Sequence, residues 1–456
     1  MTFLKNHSVN IAIAVVFLFS VWLSGNLGAF DQQNIKDDVI CYHAYAPALF
    51  VKHDLKLNFY KDSAQSYADR KMYWATWQKN GNPVIKTSCG QEIMYLPFTA
   101  GVFMYYAGEN ISGYEIPFSI AICISTLVYF FLSLILLKKV LRHFSFSENS
   151  IALTIICLGL GTNLLSYTTA FLGMPHVSDF FLLTSVMYLL LKWFEEPKLK
   201  HSILIGVCFG LLVLIRPTNV LLGFLILFYG VTNGISFKQN FKFLLHNTKH
   251  LVVIAVAALL VFSPQLFYWK YATGNWFYFS YVGEQFFYDK PHLLEYLVGF
   301  RKGWFVYSPL IVLAIGGLFF NLRGKNKFFV ATILIVVLMV YLNCSWWCWW
   351  FGGGFGARAM IEVYPLLAIG FCCFFETINL KKYKSALAGV ILTLLLLHNI
   401  KSSYLARINK IHYDSMTFKA YQYLFFKVNV TKEDDEYLET VYVHPDYDKA
   451  RKGIDT

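Results

Sequence analysis

Apolar stretches of membrane-spanning size recur along this chain, and the short connections between them carry Lys and Arg in alternation. The stretches are 9–27, 116–137, 151–167, 177–191, 251–269, 304–320, 328–342, 360–375 and 386–397, with a longer run at 203–231. A helix needs about 20 apolar residues to cross the hydrocarbon core. Several of these are shorter, which is tolerated when a helix packs in protein or beside a thinned region. With 57% hydrophobic residues, the chain reads as a polytopic membrane protein, all-α, and a soluble domain is excluded. Only Lys5 precedes the first stretch, in the manner of a signal peptide. Its length favours an uncleaved first span.

Charge orients the chain. Five short connections each carry three basic residues: Lys138, Lys139, Arg142; Lys192, Lys198, Lys200; Lys238, Lys242, Lys249; Arg323, Lys325, Lys327; and Lys381, Lys382, Lys384. Short basic loops stay cytoplasmic. The alternate connections are poor in basic residues or balanced: 28–114 has eight basic and eight acidic residues, and 401–456 has nine of each. The net charge of +12 is therefore a topology signal, and no nucleic-acid partner is expected. Both flanks of 203–231 are basic, so the run must turn back, and Arg216-Pro217 is where Pro breaks a helix. The count becomes eleven spans, with the N-terminus inside and the tail outside.

Two regions follow: a transmembrane domain over 1–400, including the large outer loop 28–114, and a small extracytoplasmic tail over 401–456. Within the loop, 42–51 and 92–107 read as amphipathic helices at the interface. Cys41 and Cys89 share this loop, and the sequence leaves open whether they are bridged.

The polar residues gather on the outer side. Asp37 and Asp38 follow the first span, His176 and Asp179 head a later one, and Arg216 sits at the hairpin turn. The loop 270–303 adds Tyr281, Glu284, Asp289, Arg301 and Lys302, and the last loop adds Trp350, Arg358 and Glu362. A transporter needs charged groups near the bilayer midplane. Few are found there, so an enzyme acting on a lipid-linked substrate is favoured.

These residues carry a resemblance. The stretch 38–50, which begins at Asp38 and contains Tyr42, and the His53-Asp54-Leu55 after it, resemble the start of bacterial GT-C glycosyltransferases of the protein-mannosyltransferase and aminoarabinose-transferase kind. Gly90 to Pro97-Phe98, Met174-Pro175-His176, and the Trp350 to Arg358 segment with its run of glycines are similar to later motifs of that family. The resemblance spans most of 1–370, and Val39 stands where many relatives carry Glu, leaving the role of a second carboxylate open. It implies a GT-C type bundle of about eleven helices with interfacial helices in the first outer loop. It implies an inverting glycosyltransferase in a bacterial inner membrane with its site facing the periplasm or outside. The donor would be a sugar on a polyprenyl phosphate, and the acceptor a protein, lipid or glycan. Asp38, or Asp37, is then the general base. Arg358, Arg216, Arg301 and Lys302 are the phosphate clamps, and His176, Tyr42, Tyr281, Glu284, Trp350 and Glu362 line the substrate site. It makes no cofactor certain, and a divalent metal at the Asp stays open. Two other readings stand beside it: a transporter or lipid flippase, and a surface-glycan polymerase or ligase using a diphosphate donor.

Overall fold

The computed structural model describes residues 2–59, 75–78, 81–231, 235–320, 326–377 and 382–454. Each expected apolar stretch is helical over most of its length, in one helix or two. Six helices are long and apolar enough to cross a membrane: His7–Asn26, Ile116–His143, His176–Glu195, Thr248–Thr273, Arg358–Thr377 and Ala386–Arg407. Five shorter apolar ones accompany them: Glu148–Gly161, Leu199–Ile215, Pro217–Leu227, Ile311–Phe320 and Phe329–Ser345. This is a multi-pass membrane protein.

The helices pack through glycine. A Cβ added at Gly206 would strike the Ile254 carbonyl, and one at Gly317 would strike the Gly370 carbonyl. In a bilayer, where lipid tails are as apolar as leucine, such backbone approach is what drives helices together.

The turn at Arg216-Pro217 reverses the chain as expected. Helix Leu199–Ile215 ends with Arg216 extended, because the ring of Pro217 disfavours the α conformation in the residue before it, and Pro217 then opens a 3-10 helix, Pro217–Gly223. The return brings Tyr229 flat against Phe194, with ring centroids 3.7 Å apart, next to the start of the outgoing helix.

That end gathers the basic connections. His143 meets Glu195, Trp193 meets Phe243, Phe144 and Tyr229 both meet Phe328, and the Ser147 N–H donates to Glu376. Lys327 lies over the Tyr229 ring. Arg323, Lys325 and Lys381 lie outside the described residues.

Four expectations are corrected. The stretch 304–320 is not one helix: Trp304–Tyr307 stops before Pro309, and Ile311–Phe320 spans only about 15 Å. The stretch 42–51 is also broken, into Asp38–Tyr42 and a π-turn, Pro47–Val51, the ring of Pro47 preventing one continuous ladder. The second interfacial helix does form, as Gly90–Tyr105, with Pro97 inside it. The chain is not purely helical, since Ala75–Trp77 and Pro83–Ile85 pair as an antiparallel hairpin. Finally, the last apolar helix passes position 400 and runs to Arg407 before the tail folds over Tyr307 and Phe355. Cys41 and Cys89 are free and buried.

Candidate active site

Opposite the basic end, residues far apart in sequence meet. Asp37 adopts φ +50 with ψ −130, a conformation costly for any residue with a Cβ and adopted most readily by Gly. Its side chain is exposed and caps nothing, while the kink starts the short helix Asp38–Tyr42. Asp38, its side chain 47% exposed, accepts from Arg358 Nη2 at 2.7 Å.

The short helix is clipped from behind. The fully buried His43 reaches the Gly113 carbonyl with Nε2 (3.0 Å) and Glu92 with Nδ1 (3.1 Å). Thr87 Oγ1 donates to the Cys41 carbonyl at 2.8 Å. A helix of five residues cannot hold itself, so this buried polar clip fixes where Asp38 sits.

Arg358 is set by the glycine loop. Gly354 has φ +133, and a Cβ there would lie 2.7 Å from Tyr167 Oη and 3.3 Å from Arg358 Nη1. Tyr167 Oη accepts from the Phe355 N–H at 3.0 Å, and Lys302 Nζ donates to the Gly354 carbonyl. Gly354→Ala is expected to shift Arg358 and lower turnover at least about tenfold, given about 1–3 kcal/mol of backbone strain plus the collision. Turnover with a thermal melt checks this; parental turnover would separate the loop from the site.

Beneath lies a second pair. Arg216 Nη1 donates to Glu362 Oε1 at 2.6 Å, and its guanidinium sits 5.8 Å from the Phe351 ring centroid. Glu362 is 1% exposed. His176 Nδ1 lies 3.5 Å from the same Oε1, but neither ring nitrogen makes a hydrogen bond. Asp179, one turn along from His176, accepts from Asn219 at 3.3 Å and leaves Oδ2 unsatisfied. Glu362 Oε2 and Arg358 Nε are likewise buried without partners. Buried polar atoms are nearly always paired. This group of orphans therefore marks a place built to receive polar atoms from elsewhere.

Tyr42 and Tyr281 lie within electrostatic reach of Asp38 and Arg216, and burial pushes both phenols up, so they stay protonated. Glu284 flanks them, paired with Lys86 at 2.5 Å and accepting from Trp347 Nε1 at 3.1 Å. Lys86, which sequence reasoning passed over, stands 5.0 Å from the Tyr281 ring centroid. A lone cation just before the Gly90 helix was the available signal.

Thus Asp38, Arg358, Arg216, Glu362 and His176 come together, with Tyr42, Tyr281 and Glu284 beside them. The remaining candidates go elsewhere. Arg301 lies 5.1 Å from the Trp350 ring centroid and donates to the Val443 carbonyl, and Trp350 Nε1 donates to Tyr447, so both serve the tail. Lys302 is 2% exposed beneath the glycine loop. Burial, with repulsion from Arg358, lowers its ammonium to about 7, which makes a loop support rather than a free clamp. As for a divalent ion, Asp38 is already tied to a guanidinium. Among the described residues no group of three metal-ligating side chains converges on it. The donors present there do not fit one.

No protein-family model matches the chain, and no curated protein is similar to it. Solved structures are. The oligosaccharyltransferase AglB from Archaeoglobus fulgidus, in complex with an inhibitory peptide and a dolichol-phosphate, aligns at TM-score 0.52 and 10% identity over 97% of this chain and 60% of that one. The Archaeoglobus fulgidus oligosaccharyltransferase tethered with an acceptor peptide aligns at 0.54 and 10%, over 98% and 60%. ArnT from Cupriavidus metallidurans bound to undecaprenyl phosphate aligns at 0.52 and 10%, over 85% and 62%. The present chain spans less than two thirds of each. The fold is GT-C-like, that of lipid-donor membrane glycosyltransferases, and identity this low carries the fold alone.

Proposed function

We propose that the chain transfers a sugar from a polyprenyl-phosphate donor to an acceptor at the polar end of the bundle. The observation that carries this reading is the Asp38–Arg358 contact with Arg216 beside it. One group able to take a proton and two able to grip phosphate share one patch at the end of a membrane bundle. In this reading Arg358 is held by Asp38 until the donor arrives. The phosphate oxygens then claim the guanidinium, whose fork matches them in pairs. Asp38 is released toward the acceptor O–H or N–H. The acceptor attacks the anomeric carbon as the bond to the phosphate oxygen breaks, with inversion. Its proton goes to Asp38 and the leaving electron pair stays on the lipid phosphate, where the arginines stabilise the developing charge. Tyr42 and Tyr281 would orient sugar hydroxyls.

The basic end would face the cytoplasm of a bacterial inner membrane. Reporters fused after Lys200 and after Lys242 should both report cytoplasm, and one on the tail the outside. Opposite readings at the first two sites would refute this orientation.

The function is tested with purified protein in proteoliposomes carrying a polyprenyl-phosphate sugar and a panel of acceptors. Release of polyprenyl phosphate in step with sugar transfer supports it. Release of polyprenyl diphosphate from the corresponding donor would assign the glycan polymerase or ligase class. Donor crossing the bilayer with no lipid product would make the protein a flippase.

A further inference from the structure

We propose that His412, Asp414 and His444 form a binding site for one divalent transition-metal ion of the zinc class, at the seam between the tail and the bundle. One ligand atom from each lies within 4.8 Å of the others. Two imidazoles and a carboxylate, with one position left for water, are a set that zinc accepts, its ligand atoms lying about 3.3 Å apart around a tetrahedral ion. The largest gap to close is about 1.5 Å, and the side chain that must move is the exposed one: Asp414 is 5% exposed and His412 14%, against 61% for His444.

The site is built from two segments held in register. The Val443 N–H donates to the Ser415 carbonyl at 3.1 Å, and Thr417 Oγ1 donates to the Val441 carbonyl at 2.8 Å. His444 is thereby fixed opposite the 412–415 turn.

The polar contacts within the turn compete for one imidazole nitrogen. His412 Nδ1 lies 3.1 Å from Asp414 Oδ1, yet the N–H groups of Asp414 (3.3 Å) and Ser415 (3.2 Å) both donate to it. A nitrogen with its lone pair free for two donors cannot also donate to the carboxylate. Without a proton, it faces that oxygen lone pair to lone pair. An ion bound to the oxygen and to the second imidazole would screen the facing lone pairs and leave Nδ1 to the two N–H groups. Ser415 Oγ now bridges those two ligands, 2.6 Å from Asp414 Oδ1 and 2.8 Å from His444 Nδ1, and the ion would replace that bridge.

The outer partners fit as well. Metal-bound carboxylates and imidazoles are normally steadied by a second hydrogen bond. Tyr447 Oη donates to Asp414 Oδ2 at 2.6 Å and accepts from Trp350 Nε1 at 3.4 Å. Through Tyr447 and Trp350, the ion would tie the tail to the loop that leads to Arg358.

The test uses untagged full-length protein in detergent, stripped by chelator and titrated with Zn(II) and with Co(II). One equivalent should bind, Co(II) should show the intense visible bands of a tetrahedral field, and zinc should raise the melting temperature. His444→Ala, which removes an exposed ligand and leaves the buried ones in place, should weaken binding at least about tenfold and abolish the thermal shift; outer-shell losses alone cost 10–100-fold. Equal zinc affinity and thermal shift in parent and His444→Ala would overturn the proposal, as would a parent that binds no zinc below about 0.1 mM, where the binding free energy is only about 5 kcal/mol.

Discussion

Asp38→Asn should slow the chemical step by about 10²-fold or more, because the amide keeps the size of the carboxylate but cannot take the acceptor's proton. Donor binding should not fall with it, because Asp38 is hydrogen-bonded to Arg358 itself. The substitution frees a guanidinium that the carboxylate had occupied, so donor affinity should hold or rise while turnover falls. That split in one variant is the signature of a base that shares its partner with the substrate. Asp37→Asn should act mildly, since its side chain is exposed and diverges from Asp38. Single-turnover transfer and donor binding, measured on both variants, decide the matter. Full activity in Asp38→Asn with loss in Asp37→Asn would move the role to Asp37, and full activity in both would end the general-base proposal.

Arg358→Ala should weaken donor binding and turnover together, and by more than Arg358→Lys. Lysine keeps the charge and loses the fork that holds two oxygens at once. Losing one charge-assisted contact to phosphate costs about 1.5–3 kcal/mol, or roughly 10–150-fold. The choice of Arg358 over Arg216 rests on burial. Arg358 leaves behind Asp38, which water can reach, whereas Arg216 leaves Glu362 at 1% exposure. An orphaned buried charge costs about 3–5 kcal/mol, so Arg216→Ala would confuse folding with catalysis. KM and kcat for the Ala and Lys variants are the measurement. Parental values in both would reduce Arg358 to an anchor at the headgroups.

The bundle was legible because its signals are local. Apolar stretches and alternating basic connections fall within windows of about 20 residues, and the reversal at Arg216-Pro217 followed from charge on both flanks. A proline inside an apolar run has no fixed effect: Pro309 breaks 304–320, whereas Pro97 and Pro264 are absorbed within Gly90–Tyr105 and Thr248–Thr273 as the apolar pattern implied. The site was legible as a set of residues and not as a set of pairs. Asp38 and Arg358 stand 320 positions apart, and Arg216 and Glu362 stand 146 apart. No spacing rule links them, and only the packing of three separate elements does. The same limit explains Arg301 and Lys302. Neighbours in sequence, they looked like one clamp, yet one side chain goes to Trp350 and the other under Gly354. His43 and Glu92 were missed because a buried pair in an aromatic setting has no signature in either segment alone.

The most direct test is a structure of the protein in lipid with an uncleavable polyprenyl-phosphate sugar. The phosphate should lie within hydrogen-bond reach of Arg358 and Arg216. Asp38 should have left Arg358 and should face the anomeric carbon from the side opposite the phosphate. A phosphate bound at the basic end, or one bound while Asp38 and Arg358 remain paired away from it, would contradict the account.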